Sequence, residues 1–147
     1  MGTQQIILLV LSVIIVGIGI VVGLTMFSHQ AYISNRQEIS GDLKHYGSQL
    51  VQYWKTPIGQ GGASQEPDYP NIARFANFIG FNPGGDLVTQ TGIFRIRSYT
   101  PETRIVIMEA IGKNRFTNKY PMCTVTVNLR LGSITIALGS DTDGQFQ

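Results

Sequence analysis

Residues 6–27, IILLVLSVIIVGIGIVVGLTMF, run for 22 positions without a charged side chain, and that run limits what this chain can fold into more than any other feature. As a helix it spans about 33 Å at ~1.5 Å per residue, the thickness of a bilayer's hydrocarbon core. Left in water it would forgo on the order of 1.5–3 kcal/mol for each large apolar side chain. It therefore requires lipid or protein around it. A cleaved secretory signal is the poorer reading, because the run is long and Met1-Gly2-Thr3-Gln4-Gln5 supplies no basic residue.

Charge is divided accordingly. The first 35 residues contain no Asp, Glu, Lys or Arg, so all 11 basic and 9 acidic side chains of the 147-residue chain lie beyond them. A net charge of +2 and dispersed basic residues give no reason to expect a specific nucleic-acid partner. Charged residues make up 14% of the chain, below the roughly 25% usual for soluble domains, which suggests that much of the surface is covered by something else. Cys123 is the sole cysteine, so an internal disulfide, a Cys-rich zinc site and a c-type haem attachment are all excluded. On the inward face of its strand it reads as a small buried apolar residue.

The apolar helix is expected to continue into the polar part of the chain. Beyond residue 30, apolar side chains recur at Tyr32, Ile39, Leu43, Tyr46, Leu50 and Tyr53, while Arg36, Glu38, Asp42 and Lys44 take other faces. No proline intervenes before Pro57, so one helix is predicted over residues 3–54, apolar to residue 28 and amphipathic from 29. Gly19 and Gly23 in its first half have the small-xxx-small spacing that lets helix backbones approach closely. A loop region over 55–92 follows, with a short helix at 72–79 marked by Ile72, Phe75, Ala76 and Ile79. Alternating patterns then predict strands at 93–99, 104–111, 122–131 and 133–138, leaving a short tail at 139–147. Gly132-Ser133 suits a two-residue hairpin loop that would set Leu131 opposite Ile134, Leu129 opposite Ile136 and Val127 opposite Leu138. Glu109 is expected on the outer face, with Val106, Met108 and Ala110 inward.

The expected fold class is α+β: a long helix laid on a four-stranded antiparallel sheet, with Ile39, Leu43, Tyr46 and Leu50 packing on Val125, Val127, Leu129, Ile134 and Ile136. The aromatic residues Tyr46, Tyr53, Trp54, Tyr69, Phe75, Phe78 and Phe81 are expected in core and subunit packing. In this order of parts the chain resembles the type IV pilins and the related pseudopilins of type II secretion, as a divergent member. The family's fifth mature residue is usually a glutamate that meets a neighbour's terminal amine. Counting from Met1, that place holds Gln5, whose neutral amide can accept a hydrogen bond without burying a carboxylate.

The resemblance implies a structural subunit of an extracellular filament, held in the membrane before assembly and polymerised with identical copies by separate pilus machinery. Its assembly interface would comprise Met1, Gln5, Ile6, Leu9, Val13, Val16, Gly19, Gly23 and Phe27. A single-pass anchored interaction protein, or a minor pseudopilin of a secretion machine, is the alternative. No enzyme is expected, and no cofactor, metal or small-molecule substrate. GQGGAS at 59–64 lacks the lysine and preceding strand of a phosphate loop, and reads as a flexible connection. His29 and His45 lie 16 positions apart with no Cys or acidic cluster beside them, and Asp141-Thr142-Asp143-Gly144 lacks the later glutamate of a calcium loop and reads as a solvated turn.

Overall fold

The computed structural model describes residues 2–139 and 141–146. A single helix, α1 (Thr3–Lys55), carries both halves of the predicted helix without a break. Its end is closed by the chain that follows. Thr56 Oγ1 donates to Gln52 O at 2.8 Å, and a 3₁₀ turn at Ile58–Gln60 reverses the backbone so that Ala63 N and Gln65 N donate to Tyr53 O and Trp54 O. The glycine-rich segment is thus bonded to the helix end, whose last carbonyls would otherwise lack partners, rather than being a flexible connection. A second helix, α2 (Ile72–Ile79), has the predicted bounds because Asn71 caps it, its Oδ1 accepting from Arg74 N at 2.8 Å.

The sheet has five antiparallel strands in sequential order: β1 (Asp86–Val88), β2 (Gly92–Thr100), β3 (Ile105–Gly112), β4 (Met122–Asn128) and β5 (Ser133–Leu138). The added strand, β1, is three residues long, too short to display an alternating pattern. It is held on β2 by its pairing and by a 2.8 Å ion pair from Arg95 Nε to Asp86 Oδ1. The inner face presents Phe94, Ile96, Val106, Met108, Ala110, Cys123, Val125 and Val127, all buried, to Ile39, Leu43 and Leu50 of α1, with Phe75 and Ala76 of α2 completing the core.

Two details of pairing depart from simple alternation. Register slips between Ile96 and Ser98, so Arg97 is a bulged residue, and the inward phase passes from Ile96 to Tyr99 instead of Ser98. At the β4–β5 turn the two-residue loop is replaced by residues 129–132: Asn128 pairs with Ser133, Val127 with Ile134, Val125 with Ile136 and Cys123 with Leu138. Asn128 Oδ1 accepts from both Arg130 N and Leu131 N at 3.1 Å, and Gly132 at φ +69° completes the turn. Leu131, expected to pair inward, is 75% exposed, and Leu138 is exposed as well. Because the register moves by an even step, Val127 and Ile134 keep their inward sidedness.

Candidate assembly interface

Along residues 3–28 every described side chain of α1 stands outside the head, except that Gly23 is intermediate in exposure. Ile6, Leu9, Val13 and Val16 are all at least half exposed, and Phe27 is 76% exposed. Gln5 and Gly19 are exposed on the same stalk, whereas Met1 lies outside the described residues. A Cβ placed on Gly19 or Gly23 would meet nothing within 4 Å, so these glycines are not required by packing within the chain. Three hydroxyls of the stalk turn inward on its own backbone: Ser12 Oγ donates to Leu8 O at 2.7 Å, Thr25 Oγ1 to Val21 O at 2.9 Å and Ser28 Oγ to Thr25 O at 2.9 Å. Self-satisfied hydroxyls leave a surface that is apolar to its neighbours. This helix is long and apolar enough to cross a membrane, and that is compatible with anchoring.

The second half of α1 is where the stalk is joined to the head. Ile39, Leu43 and Leu50 are fully buried against Val125, Val127 and Leu129, while Tyr46, Ile134 and Ile136 pack at the margin. Tyr46 meets Phe81 and Phe94 edge-on, at 5.0 and 5.3 Å between ring centroids. Tyr53 meets Phe75 edge-on at 5.3 Å and Phe78 at a tilt at 5.0 Å, although Phe78 keeps an exposed edge. Two members of the buried stripe, Asn35 and Gly47, carry no hydrophobic signal. Asn35 bridges the sheet ends, its Nδ2 donating to Thr91 O at 2.7 Å and its Oδ1 accepting from Asn114 N at 3.1 Å.

No family model, curated protein or solved structure matches the chain.

At the neck between stalk and head, Tyr32 Oη donates to Asp141 Oδ1, and Arg36 Nη2 donates to Gly139 O at 3.2 Å. Burial, then the bond to Asp141, pushes the Tyr32 phenol up to about 12. Burial also raises the thiol of Cys123, with Arg36 opposing. The 141–144 turn keeps Asp141 and Asp143 exposed, as expected, but is pinned at Thr142, which is buried, exchanges backbone hydrogen bonds with Tyr120 and donates from Oγ1 to Gln145 O at 2.8 Å.

Glu109 lies on the outer sheet face, as expected, with Val106, Met108 and Ala110 inward, yet it is only 1% exposed. The bulge at Arg97 aims that guanidinium at Glu109 Oε1, and Arg95 beside it stacks on the Phe146 ring at 4.7 Å, so flanking side chains screen Glu109 on a face that is otherwise part-exposed. Among the described residues, no group of three or more His, Cys, Asp or Glu side chains converges. His29 stacks edge-on with Phe116 at 5.0 Å, and His45 Nε2 is 3.1 Å from Gln49 Nε2.

Proposed function

We propose that this chain is the structural subunit of an extracellular, type IV pilus-like helical filament, stored in a membrane by the first half of α1 and assembled by transferring that half into a bundle of identical copies. The observation that carries the reading is the bare stalk: 22 uncharged residues project from a head that closes its own core without them. Either lipid or sister helices can cover such a surface, and moving between the two exchanges one apolar environment for another. Gly19 and Gly23 favour the helical neighbour, because their vacant flanks admit a second backbone. A head contact that repeats without closing extends the bundle into a fibre. Pilus-type assembly machinery is the expected partner, and cell-surface display the expected location.

Electron microscopy of material sheared from cells tests this directly. Abundant fibres that contain the chain are the expected result. Recovery solely from detergent-solubilised membrane would reject the filament and leave the single-pass interaction protein or minor pseudopilin.

A further inference from the structure

We propose that the loop joining β3 to β4 is a headgroup-binding collar that docks the head onto an anionic phospholipid surface while the subunit is membrane-stored. The inference rests on the reading of α1 as a membrane anchor and adds to it a specific lipid-facing site. Residues 113–119 read Lys-Asn-Arg-Phe-Thr-Asn-Lys, three cations and no acid in seven positions. The loop turns back tightly: Phe116 and Lys119 exchange backbone hydrogen bonds of 2.9 and 3.0 Å, with Thr117 and Asn118 both at positive φ.

Its placement decides the partner. Phe116 meets His29 at 5.0 Å and Tyr32 at 6.2 Å, Asn114 N donates to Asn35 Oδ1 at 3.1 Å, and Asn114 Nδ2 donates to Ala31 O at 3.4 Å. The loop is therefore clamped onto residues 29–35 of α1, immediately past the apolar run that ends at Phe27. With residues 6–27 in hydrocarbon, that level lies about 3–12 Å beyond the core at ~1.5 Å per residue, where headgroups sit. Tyr32 is buried under the loop, so the aromatic contacts to Phe116 fix the loop's depth and leave its cations to face the surface.

The charge balance is specific. Lys113 Nζ is tied to Thr89 O, whereas Arg115 and Lys119 are exposed and form no ion pair among the described residues. Nearby acids include Asp141 and Asp143, which share a groove with Lys119, and Asp42, which accepts from Thr91 Oγ1 at 3.0 Å on the Lys113 side; Asp141 already accepts from Tyr32. Arg36 adds a further cation, held on Gly139 O. A cationic loop fixed by aromatic packing at headgroup depth fits anionic lipid better than duplex DNA, which would draw on a stripe of cations reaching away from the membrane.

The test is amide hydrogen exchange over residues 113–119 in the full chain, reconstituted in nanodiscs of phosphatidylcholine with or without phosphatidylglycerol. The expected result is slower exchange with phosphatidylglycerol alone, reversed by high salt and by Arg115→Gln with Lys119→Gln, about fivefold for each cation removed. Arg130→Gln, in the turn at the far end of the sheet, should change nothing, and unaltered exchange in β3 and β4 certifies the folded variants. Insertion with equal exchange in both lipids, or protection that survives salt, overturns the collar and spares the anchor. Stronger protection by duplex DNA than by lipid overturns the assigned partner. Failure to insert in either nanodisc overturns the anchor itself, and the collar with it.

Discussion

Gly112 ends β3 against the side chain of Asn35 on α1. A Cβ there would lie 2.1 Å from Asn35 Oδ1 and 2.7 Å from Pro121 Cγ, and Asn35 cannot withdraw without losing its bonds to Thr91 and Asn114. Gly112→Ala should therefore cost about 1–3 kcal/mol, read as a lower denaturation midpoint with an unchanged slope in detergent. Tyr32, nearby, couples the neck to pH. Its phenol ionises near 10 in an unfolded chain but at about 12 when folded, so the unfolded state loses a proton first as pH rises. Its contribution is complete below pH 10 and declines up to pH 12. Tyr46, Tyr53 and Tyr99, also raised by burial, act in the same sense. Tyr32→Phe should lose stability at neutral pH, and its deficit relative to the parent should shrink in denaturation curves taken between pH 10 and 12. An undiminished deficit would remove ionisation of Tyr32 from the explanation.

Among the elements, those whose pattern extends over many residues were legible and those made by one or two residues were not. The stripe from Ile39 to Leu50 foretold the buried face of α1, and four strands announced themselves by alternation, because burial on one face repeats at the period of the backbone. β1 was hidden because three residues hold barely one repeat. The bulge at Arg97 was hidden because an inserted residue changes the phase of everything after it: Tyr99 packs inward on a strand whose first half places odd-numbered Arg95 outward. The β4–β5 loop was misread because Gly132 marks a positive φ without revealing how many residues the turn holds. Asn128 sets that number, by accepting from two amides at once. Asn128→Ala should destabilise the hairpin by about 1–2 kcal/mol, measured as faster amide exchange in β5 than in β3. The neck was the least legible region, since its bonds join Tyr32 to Asp141 and Arg36 to Gly139 across more than 100 positions, where no local spacing can announce them.

For the whole molecule, the decisive property is that the head and the stalk are separable. The core begins at Tyr32, and the side chains of residues 3–28 contribute nothing to it, so their substitution should be silent for the folding of the head. Gly19→Leu with Gly23→Leu is the most informative change. A Cβ at either position meets nothing within the chain, and leucine also favours helix over glycine, so the head's melting temperature should stay within about 2 °C of the parent and membrane insertion should be retained. Two leucines facing a neighbouring backbone would instead hold the helices apart. The expected outcome is a folded, membrane-inserted subunit that no longer appears in sheared fibres, scored by electron microscopy beside thermal melts of the same preparation. Fibres of normal abundance would show that the close-packed contact lies elsewhere on the stalk. Loss of fibres together with a collapsed melting temperature would show that stalk and head are not independent. Fibre loss with the head intact is the pattern that assigns the bare helix to assembly, because lipid alone gains or loses little when glycine becomes leucine on a surface it already covers.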